Sequence, residues 1–189
     1  MADPGILSRP LSYTSKLEQR TATDISLVVI HCTELPDLAM AREYAEKIHY
    51  PESRTGNSGH FYIDRDGSIE QWVEPLGVAH HVADMNDHSI GIELVNRGRY
   101  PHWFNSNHQQ AEENYPQQQI NALLVLLEML TDKYPALKTI AGHQDLDTRM
   151  IPAADKPELL VPRKIDPGPL FPWADVLAHV NLTRAGKPS

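Results

Sequence analysis

Apolar residues along this chain fall into short runs of two different periods, and each change of period marks an element. Ile25 to Ile30 is an almost continuous β-branched run, the pattern of a strand covered on both faces inside a sheet, with His31 at its C-terminal end. Behind Pro36, residues Leu38, Ala41, Ala45 and Ile48 recur at helical spacing, and Asp37 stands where an N-cap belongs, so a short amphipathic helix is predicted. His60 to Asp64 and Ser68 to Val73 flank Arg65-Asp66-Gly67, and an Asp-Gly pair between two β-prone runs predicts a hairpin. Ser89 to Val95 alternates Ile90, Ile92 and Leu94 on one face with Ser89, Gly91, Glu93 and Val95 on the other.

The second half is helical at first. From Pro116, placed at the first helical position, Ile120, Leu123, Leu124, Leu127 and Leu130 form one apolar stripe. Thr139 to Gly142 reads as a short strand delivering His143, followed by a Pro-rich loop to Leu170 and a last helix near Trp173 to Val180. Between the two halves, residues 96–115 are polar and aromatic with no clear period, and a structureless stretch of this length predicts a substrate-side loop. Strands alternating with helices predict an α/β domain over residues 24–181, with residues 1–23 as an N-terminal arm and 182–189 as a tail.

Composition narrows the chemistry more than the fold. At 189 residues the chain can bury one substantial core. A net charge of −8 works against a partner held through phosphates, which argues against nucleic acid. The single cysteine, Cys32, cannot form an intramolecular disulfide, and no apolar run is long enough to span a bilayer. The start of the chain lacks the basic and apolar regions of a secretory signal, so a cytoplasmic location is expected, with a periplasmic or extracellular one as the alternative if a signal has been removed. A monomer is the default expectation.

His31 and His143 each end an apolar strand-like run, and strand ends meeting at one edge of a sheet are where α/β proteins build sites. A hydrolytic zinc ion needs three protein ligands and an open position, and Asp166 in RKIDPGP offers a third. The spacing alone matches no compact metal motif, and a strand-end histidine is also a common hydrogen-bonded structural residue. Glu93 lies on a strand face otherwise made of small residues, which suits either an approaching ligand or plain solvent. Lys164 falls on the same side of an extended segment as Asp166, and reads equally as a surface lysine. His60, His80, His81 and Asn86 around the hairpin and its following loop, with Trp103 in the long loop, are candidates for contacting substrate; the histidines and Trp103 have a structural or merely exposed reading as well.

Together, LVVIHCTE, SGHFYIDRDGSIEQWV, NDHSIGIELVN, TIAGHQD and RKIDPGPLFPW resemble, in order, the zinc-dependent N-acetylmuramoyl-L-alanine amidases related to peptidoglycan-recognition proteins, across about residues 25 to 175. The resemblance implies a central mixed β-sheet flanked by helices, with one zinc ion in a groove on one side. It implies His31, His143 and Asp166 as ligands, a zinc-activated water as nucleophile, Glu93 as the acid-base carboxylate and Lys164 as the partner of the transition-state oxyanion. The substrate implied is the amide between N-acetylmuramic acid, or its 1,6-anhydro form, and L-alanine in peptidoglycan or muropeptides. A recognition module that holds glycopeptide without cutting it is the alternative. The segment 146–163 is longer than is usual between these motifs, which bears on substrate choice.

Overall fold

The computed structural model describes residues 5–185. Its centre is β2 (Leu27–Cys32), in which all six residues are buried. This strand pairs in parallel with β5 (Ser89–Leu94) on one side and with β6 (Thr139–Gly142) on the other. Beyond β5 lies the predicted hairpin, β3 (Phe61–Ile63) and β4 (Ile69–Gln71), antiparallel to each other, with β3 parallel to β5. Asp64 and Ser68 close the turn, and Gly67 takes φ +86° there, a conformation open to glycine but strained for other residues. Two-residue strands complete the edges, β1 (Leu7–Ser8) beside β4 and β9 (Thr183–Arg184) beside β6. The seven-stranded sheet therefore runs β1-β4-β3-β5-β2-β6-β9 and is mixed. Both edge strands fall in the stretches outside residues 24–181.

The alternation along β2 and β5 divides the interior in two. Val28, Ile30, Ile90, Ile92 and Leu94 face one large core, completed by α2 (Gln117–Lys133) and α4 (Trp173–His179). From α2 come Ile120, Leu123, Leu126, Leu127 and Leu130, all buried, each contributing about 1.5–3 kcal/mol by leaving water. Pro116 caps this helix instead of entering it, and Leu126 takes the buried place that the stripe assigned to Leu124. Gln119, wholly buried, donates to the carbonyls of Ile63 and Val95 at 2.9 and 3.1 Å and ties α2 to the ends of β3 and β5.

On the opposite face lie α1 (Leu38–Ala45) and the segment leading into β2. Asp37 caps α1 by accepting from the Met40 amide at 2.8 Å. Leu11, Tyr13 and Leu17 pack with Ala41, Ala45, Tyr62 and Trp72 into a second core, where Tyr62 and Trp72 stack. Leu27, Val29 and Ala141 form a third cluster with Val82 on the same side. His31 and Glu93 belong to this face, next to each other in register. Residues 96–115 contain neither helix nor strand, whereas 146–163 carries a two-stranded ribbon, β7 (Met150–Pro152) with β8 (Leu160–Pro162). Among the described residues no helix is long and apolar enough to cross a membrane.

Candidate metal centre and its cleft

Because β5, β2 and β6 run in parallel, their C-terminal ends deliver three functional segments to one edge. His31 and Glu93 are paired across β2 and β5, and His143 starts the short helix α3 (His143–Leu146) directly after β6. The Gln144 amide donates to the Asp166 carbonyl at 2.9 Å, which fastens the DPG segment beside α3. These segments floor a cavity of about 630 Å³ whose walls include His31, Glu93, His143, Lys164 and Asp166.

The Nδ1 atoms of His31 and His143 stand 3.0 Å apart, and each lies close to Asp166 Oδ2, at 3.1 and 3.2 Å. All three residues are buried, and their ligand atoms lie within 4.8 Å of one another. Asp166 Oδ1 is buried with no hydrogen-bond partner. Two imidazole nitrogens and a carboxylate converging on one point, with a carboxylate oxygen left over, suit a divalent cation better than any proton arrangement. The residues thus fit a metal held by two nitrogens and one oxygen, with the cavity side open.

Electrostatics follow from burial. Burial holds His31 down to about 4, so the ring is neutral and able to donate a lone pair. Burial would raise Asp166, but His143 and Lys164 outweigh it and keep the carboxylate well below its usual range. Glu93, 4.0 Å from His31 Nδ1, is pushed up to about 8, first by burial and then by the Asp166 charge. A carboxyl poised near neutrality can exchange a proton in either direction. Gly59 makes room for it: a Cβ there would come within 2.9 Å of Glu93 Cγ.

The substrate candidates separate in space. His80, His81 and Asn86 line the cavity, His80 edge-on to Tyr50 at 4.6 Å and Asn86 accepting from the amides of His81 and Val82. His60 lies behind the floor and is wholly buried; its Nδ1 accepts from the Gly91 amide and its Nε2 faces the Gly77 carbonyl at 3.0 Å. Trp103 turns inward, donating to the Glu34 carbonyl at 3.0 Å, and its neighbour Phe104 reaches the cavity instead.

Sequence reasoning passed over Arg99. Its guanidinium is buried, pairs with Glu34, and donates to the carbonyls of Pro162 and Arg163, immediately before Lys164. One arginine therefore joins the end of β2, the long loop and the Lys164 segment. An arginine beside a glycine in a loop with no period carries no signal of this, since its partner Glu34 is 65 residues away.

A mixed sheet that brings two histidines and an aspartate together at its parallel strand ends, with a buried carboxyl beside them and an open cleft above, is an arrangement of the hydrolase class that could hold one metal ion. The sequence profile of the N-acetylmuramoyl-L-alanine amidases matches residues 21–169, and the chain belongs to that family. It is thereby an enzyme of amide hydrolysis. The 1,6-anhydro-N-acetylmuramyl-L-alanine amidase AmpD of Haemophilus influenzae is 28% identical over 180 residues, covering 84% of each chain. Among solved structures, the N-acetylmuramoyl-L-alanine amidase LysC from Clostridium intestinale superposes with a TM-score of 0.66 at 23% identity, over 96% of this chain and 100% of that one. Escherichia coli AmiD, solved with anhydro-N-acetylmuramic acid-L-Ala-D-γ-Glu-L-Lys, gives 0.63 at 24%, over 85% of this chain and 58% of that one.

Proposed function

We propose that the chain hydrolyses the amide between N-acetylmuramic acid and the L-alanine of the stem peptide, in peptidoglycan or muropeptides, with one zinc ion held by His31, His143 and Asp166. The observation that carries this reading is the convergence of those three donor atoms beside Glu93 in an open cavity. Bound zinc supplies Lewis acidity, polarising the scissile carbonyl and lowering the pKa of water toward about 7.

Glu93 takes a proton from the attacking water at a carboxylate oxygen and returns it to the amine nitrogen of L-alanine as the C–N bond breaks, a role worth about 10² to 10⁴-fold. Lys164 faces the negative charge that develops on the carbonyl oxygen, where losing one such donor costs about 3 kcal/mol. His80, Asn86 and Phe104 line the cavity in which the glycopeptide lies.

The test is release of free peptide from purified muropeptide, read by mass spectrometry, with a chelator and then with zinc restored. Cleavage between the lactyl carbonyl and L-alanine, lost with chelator and recovered with zinc, is expected. Glu93→Gln is expected to keep its zinc and lose about 10² to 10⁴-fold in kcat. Cleavage indifferent to chelator removes the metal mechanism, and tight binding with no cleavage under any condition makes the chain a recognition module.

A further inference from the structure

His31 meets the metal position with Nδ1, so its other nitrogen needs an owner. Nε2 lies 3.0 Å from Nδ1 of His81. The far nitrogen of His81, Nε2, is 3.2 Å from Ser89 Oγ, and Ser89 Oγ is 2.6 Å from the Met85 carbonyl. Proton placement along this line has one consistent solution for neutral rings. A carbonyl oxygen only accepts, so the single Ser89 proton points to Met85. Ser89 Oγ must then accept from His81, which puts the His81 proton on Nε2 and leaves its Nδ1 as an acceptor. His31 therefore donates from Nε2, and its Nδ1 carries a lone pair aimed at His143 and Asp166.

The surroundings hold this geometry. Asn86 Oδ1 accepts from the backbone amides of His81 and Val82, fixing the loop that carries the ring. A Cβ at Gly91 would come within 2.7 Å of the His81 ring, so glycine at this strand position is what admits the imidazole. His60 lies edge-on behind it, with ring centroids 5.6 Å apart.

We propose that His81 is a positioning residue for the metal centre, fixing His31 as its Nε2–H tautomer through the line Met85 carbonyl, Ser89, His81. The inference rests on the assignment of His31 as a metal ligand under the proposed function. It gives His81 a part distinct from contact with substrate. Residues that orient a ligating imidazole in this way typically carry about 10- to 100-fold in metal affinity.

The test compares wild type with His81→Leu, which deletes the acceptor, and His81→Asn, whose side-chain oxygen falls where Nδ1 stood. Zinc affinity is measured by competition with a chromogenic chelator, and the His31 tautomer by ¹⁵N–¹H imidazole correlations on the metal-free protein. Expected are an Nε2 proton on His31 in wild type, zinc binding weakened about 10- to 100-fold in His81→Leu, and substantial recovery in His81→Asn. An Nδ1 proton on wild-type His31 overturns the proposal. So does His81→Leu binding zinc as tightly as wild type, or His81→Asn binding no better than His81→Leu. Wild-type protein that takes up no zinc refutes the metal reading itself, and the imidazole spectrum still decides whether the proton line exists.

Discussion

The floor and the rim of the cleft are built on different principles. The floor is made of strand ends: His31, Glu93 and His143 leave β2, β5 and β6, whose backbones are hydrogen-bonded to one another and packed against buried aliphatic side chains. One part of the rim, which includes Phe104 and Arg163, comes from loop 96–115 and segment 146–163, joined by side chains. Ser106 binds Asp155 through both backbone and hydroxyl, and Arg99 binds Glu34 and two carbonyls ahead of Lys164. Periodic burial fixes the floor, so no single contact decides it. The rim depends on a few polar contacts, and removing one of them strands its partner.

The largest effect expected from this difference is at Arg99. The pair with Glu34 is almost wholly excluded from water, so Arg99→Met leaves a buried carboxylate uncompensated and costs about 3–5 kcal/mol in urea unfolding. Removing both charges, in Glu34→Gln with Arg99→Met, is expected to recover much of that loss, because the penalty lies in the orphaned charge more than in the lost pair. A single variant within about 1 kcal/mol of wild type, at the level of an exposed pair, would show that the rim is held elsewhere.

The same contrast explains what was legible in the sequence. The alternation of SIGIELV placed Glu93 opposite the Ile-Leu face, and the run ending at His31 gave the central strand; both follow from period alone. The Asp37 cap, the Asp-Gly hairpin and the long helix were readable because their signals lie within a few residues of one another. The pairing of His31 with Glu93 in register was not, since it depends on which strands become neighbours. The edge strands Leu7–Ser8 and Thr183–Arg184 are too short to show a period. His60 and Trp103 could be singled out as histidine and aromatic near a site, but their direction is set by Gly77, Gly91 and Glu34, all distant in the chain.

A smaller effect sharpens the account of the floor. Gly59 approaches Glu93 so closely that Gly59→Ala places a methyl within 2.9 Å of Cγ and 3.1 Å of the Gly91 carbonyl. The strand backbone gives little, so the carboxyl moves. Under the proposed role of Glu93 in proton transfer, its displacement predicts kcat lower by about 10-fold or more, with zinc content unchanged. Loss of zinc together with kcat would mean that the floor shifts as one body, and full activity would mean that Glu93 has more freedom than its packing implies.

The smallest effect concerns proton binding behind the floor. Burial, and then the Arg20 charge, hold His60 down to about 3, against 6.5 for an ordinary histidine. Between those values the unfolded chain binds a proton there that the folded chain does not. The stability contributed by the neutral ring is fully present above about pH 6.5, and it is lost progressively as pH falls toward 3. From pH 7.5 to 6 this one group accounts for about 1 kcal/mol. His60→Gln offers a donor and an acceptor but no titration, so its unfolding free energy should fall less steeply over that interval, whatever its offset at pH 7.5. Parallel curves for the two proteins would mean that His60 takes up its proton while folded, and that the contacts of its two nitrogens with Gly77 and Gly91 do not hold it neutral.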